Sequence, residues 1–491
     1  MESGAMLTAL WIFLGLLLGL LLLLLIPGKP PKAPPGAGRQ PFIWDQDSVW
    51  SSLEAKFREQ RARQPQELNA DARGGLEQLN RLVSFLEEHN LEFDALEFDE
   101  LQRSILSLGP ILAASCIPLE DFANLNSRLR RAIKDSSQTW DLDNPEVRDQ
   151  FYQLLTLSRL SLEEIILQRP NGAIPTVLRG IDEPSQCPSV VIEGVQLHSG
   201  DIILNCGGDA TSSVIARGND HPGVFSHASL IHVSEEGEAN IIHALIGKGT
   251  IIESPEQWLA ARTLRILVLR ARTNLPQIQV NPMIPHLAAI AALEEARTKH
   301  LPWDFTMNPS NPSGRYCVAV VTSCYERYGL HLWKGMTTMS APGVINWLNK
   351  VGVTHTQTYS PSDLEYDPML RVVAEWRHPE ALYQDHINSA ATDVMLEGAN
   401  AGENLGHAWY LLPPARCTKM YCVIRGWLGK SGPIPRGWNA TQFLQMLWFY
   451  KRHRQIKRKT LELAEAFETK QGYRPPIWEL ISIARSVKQS L

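Results

Sequence analysis

The sequence of 491 residues predicts an α+β protein in which helical regions flank a centre rich in strands. Two apolar runs of strand length, 226–233 and 239–246, enclose the acidic turn 234–238, as in a β-hairpin. A third apolar run has helical character and begins near Cys317. Before this centre, apolar residues such as those at 76–86 recur at the period of a helix. We therefore expect a small antiparallel sheet packed on a helix.

Changes of composition divide the chain into five predicted segments. They are a transmembrane anchor at 1–28, a proline-rich linker at 29–42, a helical domain at 43–185, the strand-rich domain at 186–376, and a helical C-terminal region with a basic segment at 377–491.

The N-terminal stretch Met6–Ile26 is apolar and uncharged, with the length that a bilayer crossing requires. Glu2 precedes it, no Lys or Arg does, and no signal-peptide cleavage pattern follows it. We expect an uncleaved single-pass anchor whose partner is the lipid bilayer. Lys29, Lys32 and Arg39 follow the span, which by the positive-inside rule predicts that the body of the protein is cytoplasmic.

The next region is predicted to be a helical bundle. Asn144, Pro145 and Glu146 form a helix start with a cap, a first-turn proline and an acid near the positive end of the dipole. Polar faces rich in Arg, Gln and Glu indicate that the bundle is solvated. We expect it to serve as a scaffold or to bind a partner.

Two histidines share one face of the predicted hairpin. If Val233 pairs with Ala239, strand alternation places His227 diagonal to His243 on that face, whereas a shift of one residue would separate them. His232, on the opposite face, and His221, in the preceding loop, are alternative bases.

Cys317 lies where a loop containing two prolines gives way to the apolar helical run. Free N–H groups and the dipole at a helix N-terminus lower the pKa of a thiol toward the reactive thiolate. A histidine beside it would complete a nucleophile and base, and a second histidine would orient the first. In the alternative interpretation Cys317 is a small core residue and both histidines are structural.

The order of these motifs resembles the permuted papain-like cysteine hydrolases of the NlpC type, most closely the YiiX/YaeF amidase group, over roughly residues 195–375. The resemblance implies a papain-like fold for the domain at 186–376. It also implies that Cys317 is the nucleophile, His227 the base and His243 the residue that orients the base.

We assign substrate binding to four further residues that lie in or beside these motifs. They are Asp201, Arg217, Asp304 and Tyr316.

The sequence departs from the family directly after the nucleophile. Where the family usually has Ser and Glu, this chain has Val318 and Ala319. The departure keeps open a second reading, a catalytically eroded, membrane-tethered scaffold or binding protein.

The C-terminal region combines an apolar, aromatic segment at 438–450 with the basic run Lys451–Lys459. The apolar segment is too short to span a bilayer. It could lie on an anionic membrane surface, or it could be a buried helix that continues into a solvated basic face.

Composition excludes several other functions. A net charge of −5 gives no sign of nucleic-acid binding. The seven cysteines contain no CxxC pair, and no cluster has metal-ligand spacing, so we expect neither a metal nor another cofactor. The predicted function is that of a membrane-anchored thiol hydrolase or acyl transferase that acts on an amide or ester, with a lipid-like substrate favoured. A cell-wall peptide amidase is the alternative enzyme.

Overall fold

The computed structural model describes residues 2–44, 47–170, 174–180, 182–261, 263–333 and 335–491. The helices before the sheet are α1 (Glu2–Leu24), α2 (Asp47–Arg61), α3 (Pro65–Glu88), α4 (Leu96–Ala114), α5 (Glu120–Ser136) and α6 (Pro145–Leu167). Those within the central domain are α7 (Ala210–Arg217), α8 (Pro255–Leu259), α9 (Pro276–Val280), α10 (Ile284–Lys299), α11 (Cys317–Glu326), α12 (Pro342–Lys350) and α13 (Pro361–Tyr366). The C-terminal helices are α14 (Pro379–Asn400), α15 (Leu412–Trp427), α16 (Ala440–Gln471) and α17 (Ile477–Ser490), and a 3-10 turn (Trp409–Leu411) precedes α15.

The strands form one large sheet and two small ones. They are β1 (Val177–Arg179), β2 (Ser189–Ile192), β3 (Val195–His198), β4 (Ile202–Gly207), β5 (His227–Val233), β6 (Ala239–Leu245), β7 (Gly249–Glu253), β8 (Thr263–Ala271), β9 (Thr337–Thr338), β10 (Gln357–Thr358) and β11 (Leu370–Trp376). The large sheet has the order β1-β11-β8-β4-β5-β6-β7, with antiparallel neighbours throughout. This architecture agrees with the predicted α+β class. The sheet begins at Val177, ahead of the segment boundary that composition indicated at 186.

The prediction of a transmembrane helix over Met6–Ile26 is wrong. A membrane crossing takes about 20 apolar residues in one helix. The chain is helical over Glu2–Leu24. Among the described residues, however, no helix combines the length and the apolar character that a crossing needs. The finding also overturns the expected localisation as a single-pass membrane protein with a cytoplasmic body.

The predicted start of α6 is confirmed. The side chain of Asn144 accepts a hydrogen bond of 3.0 Å from the N–H of Glu146, and Pro145 occupies the first helical turn. Capping satisfies a backbone donor that would otherwise lack a partner, and the fixed φ of proline suits this position. The helix then packs against α4, α5 and α14.

Helices α10 and α11 cover one face of the central strands. Alternate residues of β5 and β6, among them Leu230 and Ile242, pack with both helices in one apolar core. The residues between them, such as Ile231 and Ile241, pack on the other face with β3 and Trp258. Side-chain alternation along the strands produces this division.

The apolar segment at 438–450 is part of the protein interior. Trp438, Met446 and Phe449 are buried, and they belong to the core that the C-terminal helices share with the N-terminal bundle. Within the basic run that follows on α16, His453 and Ile456 are buried as well. The contact of the run Lys451–Lys459 with an anionic membrane surface stays a prediction.

Candidate active site

The two histidines of the hairpin are in contact. Val233 pairs with Ala239, as predicted, and the ladder continues to Leu230 opposite Ile242. By strand alternation this register puts His227 and His243 together on the face of Ile231 and Ile241, opposite the face that α11 covers. On that face Nε2 of His227 lies 2.8 Å from Nδ1 of His243. When Nε2–H of His227 donates in this contact, its Nδ1 is the nitrogen left to receive a proton.

A carboxylate extends this pair on the next strand. His243 is paired with Ile251 of β7, so Glu253, two residues further on, shares the face of the histidines. Its Oε2 lies 3.2 Å from Nε2 of His243. Sequence reasoning missed Glu253, although the alternation along Gly249–Glu253 could have identified its face once β6 and β7 were paired.

Cys317 is the first residue of α11, which confirms the predicted helix start, and Tyr316 is its N-cap residue. The N–H of Ala228 is directed at the Cys317 thiol. Because Ala228 directly follows His227, the sulfur lies beside the end of β5 that carries the histidine. The Cys317 side chain is enclosed, with 2% of its residue surface exposed.

Burial dominates the electrostatics of the site. It raises the pKa of Cys317 to about 11, although backbone N–H groups, including that of Ala228, oppose the shift. The expected lowering of this thiol pKa is therefore not met in the unliganded protein. Burial, with a smaller effect of His243, lowers the pKa of His227 to about 3.

The second imidazole is neutral for the same reason. Burial lowers the pKa of His243 to about 4, and Glu253 acts in the opposite direction. At neutral pH the site thus contains a protonated thiol and two uncharged imidazoles. Such a site can transfer a proton from sulfur to His227 only when a reacting group stabilises the charges that form.

Three of the four predicted substrate-binding residues have hydrogen-bond partners within the protein, and their role toward a substrate stays a prediction. Asp201 is buried and receives two hydrogen bonds of 2.8 Å from Arg270. Asp304 accepts hydrogen bonds from the backbone N–H groups of residues 306 and 308 and so shapes the loop before α11. The hydroxyl of Tyr316 accepts a hydrogen bond of 2.9 Å from Thr358.

The fourth, Arg217, lines a cavity of about 600 Å³ between the N-terminal helices and the central domain. Both of its hydrogen bonds to Asp393 measure 2.8 Å, so its charge is neutralised. Val224, three residues before His227, lines the same cavity. The structure brings Arg217 to this cavity and does not bring it into contact with the two histidines.

The alternative bases have other partners. His232 stacks on His286 of α10, with ring centroids 5.5 Å apart. His221 forms a contact of 2.7 Å between its Nε2 and a carboxylate oxygen of Asp149.

The residues that depart from the family pattern are core residues. Val318 is fully enclosed and Ala319 nearly so, and both pack in the apolar core that contains Cys317 and Cys324. They contribute packing at the positions where the family has polar side chains.

Comparison with known proteins gave one match, to a protein family. No curated protein and no solved structure matched the chain. Residues 196–374 match the family described as permuted papain-like amidase enzymes, YaeF/YiiX, C92 family. The matched segment contains the hairpin with both histidines, Glu253 and Cys317, and it agrees with the extent of the resemblance found in the sequence. Over this segment, a little over a third of the chain, the central domain is similar to the permuted papain-like amidases of the YaeF/YiiX type, a family of cysteine hydrolases.

Proposed function

We propose that the protein is an active cysteine amidase in which Cys317 is the nucleophile and His227 the general base. The observation that carries the proposal is the row formed by Glu253, His243 and His227, together with the N–H of Ala228, the residue after His227, which is directed at the thiol of Cys317. A nucleophile, a base and a residue that orients the base are the parts that thiol acyl transfer requires.

The reaction proceeds in two steps. As the Cys317 sulfur attacks the substrate carbonyl carbon, its proton passes to Nδ1 of His227. The imidazolium then gives this proton to the departing amine or alcohol, which leaves a thioester on Cys317. A water molecule that loses its proton to His227 cleaves the thioester, releases the acid and restores the thiol.

Three groups stabilise the charges that form. The N–H of Cys317, at the start of α11, is available to the oxyanion of the tetrahedral intermediate. His243 holds the ring of His227 through their contact of 2.8 Å. Glu253 places a negative charge behind His243, which favours the imidazolium state of the pair.

The surroundings of Cys317 favour a substrate with an apolar acyl part. Val224, Trp303 and Met307 pack against the core that contains the thiol. An apolar acyl group gains more from such surroundings than a charged cell-wall peptide does, because burying charge without a partner is costly. We therefore place a lipid-like amide or ester ahead of the peptide substrate.

One observation favours the second candidate, a scaffold that has lost catalysis. The Cys317 thiol is enclosed, and burial raises its pKa, as expected for a cysteine that serves packing alone. Catalysis requires that the substrate reach this sulfur, and a scaffold has no such requirement.

Labelling with a vinyl sulfone that carries a fatty acyl amide separates the two candidates. We expect the reagent to modify Cys317, identified by peptide mapping, and we expect both His227→Ala and Cys317→Ala to abolish this modification. His232→Ala is the matched control, because His232 lies on the same strand with its ring against His286. An unmodified Cys317, or a rate that His227→Ala leaves unchanged, would refute the enzyme and support the scaffold.

A further inference from the structure

Helix α15 presents an unusually apolar surface to solvent. Positions separated by three or four residues share one side of a helix, and on α15 that side carries exposed apolar and aromatic residues. Its other side, with Leu412, Ala415 and Cys422, is buried. The exposed set, named here the α15 stripe, comprises Cys417, Met420, Tyr421, Ile424, Trp427 and Leu428.

Two further aromatic residues precede the helix. Trp409 and Tyr410, in the 3-10 turn, are each 63% exposed, and Trp427 at the far end of α15 is 80% exposed. Tryptophan and tyrosine are the residues that proteins place at a membrane–water interface, where one end of the ring is apolar and the other is wet.

The charge of this part of the chain has one sign. Residues 404–461 contain eleven Lys and Arg and no Asp or Glu. Among the described residues, one ion pair involves this segment. It joins Arg458 to Glu462, which lies just after the end of the segment. The cations on and beside α15 thus have no carboxylate partner there: they are Arg416, Lys419, Arg425, Lys430 and Arg436. Two of them are held by backbone carbonyls, Arg416 by those of Leu23 and Ile26 and Lys419 by that of Pro435, which leaves Arg425, Lys430 and Arg436 to face a partner.

We propose that the α15 stripe lies on the surface of an anionic lipid bilayer, with the surrounding cations against the lipid head groups. Apolar insertion and electrostatic attraction are the two contributions that hold a helix in a membrane interface. A helix of 16 residues is too short to cross a bilayer and lies in its plane. The proposal is independent of the proposed amidase activity.

Charge complementarity favours a bilayer over a protein as the partner of the α15 stripe. Protein interfaces are depleted in lysine at their centre and mix polar groups with apolar ones. Here large apolar side chains have cations around them, and the 58 residues of the segment 404–461 include no acidic residue. The basic run Lys451–Lys459 adds positive charge to the same segment, although Lys457 donates a hydrogen bond to the carbonyl of Gly208 and is held by the protein.

The cysteines of the chain provide a local probe of this surface. Cys116 and Cys417 are exposed, whereas the other five are buried. An NBD fluorophore on Cys417, in full-length protein with Cys116→Ser, reports from the stripe. The same fluorophore on Cys116, with Cys417→Ser, is the matched control on the N-terminal bundle. With vesicles of 30% phosphatidylserine in phosphatidylcholine, we expect a blue-shifted and stronger emission from the Cys417 probe and no change from the Cys116 probe.

Vesicle flotation of full-length variants tests the residues. We expect the double variant Ile424→Glu, Trp427→Glu to bind anionic vesicles at least tenfold more weakly than the unmodified protein. Val280→Glu should bind normally, because Val280 is 87% exposed but lies on α9, away from the basic segment. Raising the salt from about 0.1 to 1 M should weaken binding severalfold, since the Debye length falls from about 10 to 3 Å.

Four outcomes would overturn the proposal. They are an unchanged emission from the Cys417 probe when vesicles are added, equal emission changes from both probes, and equal binding of the unmodified protein to anionic vesicles and to vesicles of pure phosphatidylcholine. The fourth is a double variant that binds anionic vesicles as well as Val280→Glu does. All variants retain helix α1, so a difference between them arises from the α15 stripe.

Discussion

At the scale of single residues, the site is defined by what surrounds each titratable group. Cys317 and His243 are buried and His227 is half-buried. This enclosure keeps the thiol protonated and both imidazoles neutral. The carboxylate of Glu253 is the charge that favours an imidazolium in the pair. We therefore infer that Glu253 is a positioning residue whose effect appears in the transition state and not in the resting protein.

Glu253→Gln should slow vinyl sulfone labelling of Cys317 by roughly tenfold, or about 1.4 kcal/mol of barrier, because the imidazolium that forms during attack loses its counter-charge. Glu253 raises the pKa of His243, so its removal lowers that pKa further. The histidine pair then stays neutral to lower pH, and the acid limb of the rate profile should move down from its position near pH 3–4.

Glu256→Gln is the control for this prediction. Glu256 accepts a hydrogen bond from Ser254 at the surface, three residues beyond Glu253. Its replacement should leave both the rate and the pH profile unchanged. A Glu253→Gln profile that superimposes on that of the unmodified protein would exclude the positioning role.

At the scale of elements, the turn between β6 and β7 brings Glu253 to His243. Gly249 has a φ of +78°, and a Cβ there would lie 2.3 Å from the carbonyl oxygen of Leu301. The N–H of Thr250 donates a hydrogen bond of 2.8 Å to that same oxygen. The register of β7 therefore depends on a close backbone contact with the loop that follows α10.

Gly249→Ala should destabilise the protein by about 3 kcal/mol or more, at the upper end of what single substitutions cost, because a backbone carbonyl has no rotamer with which to move away. Gly237→Ala, in the β5–β6 turn, is the matched control: its φ is +85° and no atom lies within 4 Å of the added Cβ. It should cost only the left-handed strain of about 1–2 kcal/mol. Urea unfolding measures both, and equal losses would contradict the close-contact argument.

Sequence patterns predicted those parts of the site that depend on local structure. The register of β5 and β6 follows from two alternating runs joined by a short acidic turn, and the start of α11 at Cys317 follows from a loop that ends in an apolar run. Glu253 was missed because its position depends on the contact between Gly249 and Leu301, some 50 residues apart. The ion pair of Asp201 with Arg270 was not predicted for the same reason, because Arg270 is also remote in sequence.

At the scale of the whole molecule, a buried ion-pair network joins the N-terminal helices to the central sheet and the C-terminal helices. Glu163 of α6 receives two hydrogen bonds, of 2.5 and 2.9 Å, from Arg265 of β8. His386 of α14 lies 3.0 Å from the same carboxylate, and Arg265 also contacts Asp385. The polar faces that indicated a solvated bundle are thus in part internal, because the partners that neutralise them come from other regions of the chain.

This network gives the last prediction. Arg159 also lies 3.0 Å from the Glu163 carboxylate. Glu163→Gln preserves volume but leaves Arg265 and Arg159 buried with one counter-charge fewer, and breaking such a pair costs about 3–5 kcal/mol. That is a large part of a typical unfolding free energy of about 5–15 kcal/mol. Burial raises the pKa of Glu163, but the nearby Arg265 outweighs it and holds that pKa well below its usual range. The stabilisation is therefore present at neutral pH and is lost as acid protonates the carboxyl group.

Glu397→Ala is the matched control, because Glu397 of α14 also pairs with an arginine of another helix, Arg485, but both side chains are about half exposed. Exposed pairs contribute roughly 0–1 kcal/mol, so this change should scarcely shift the midpoint of urea unfolding. Glu163→Gln should lower the midpoint strongly at pH 7, and the difference from the unmodified protein should shrink as the pH is lowered. A Glu163→Gln midpoint close to that of Glu397→Ala would show that the network does not hold the three parts of the molecule together.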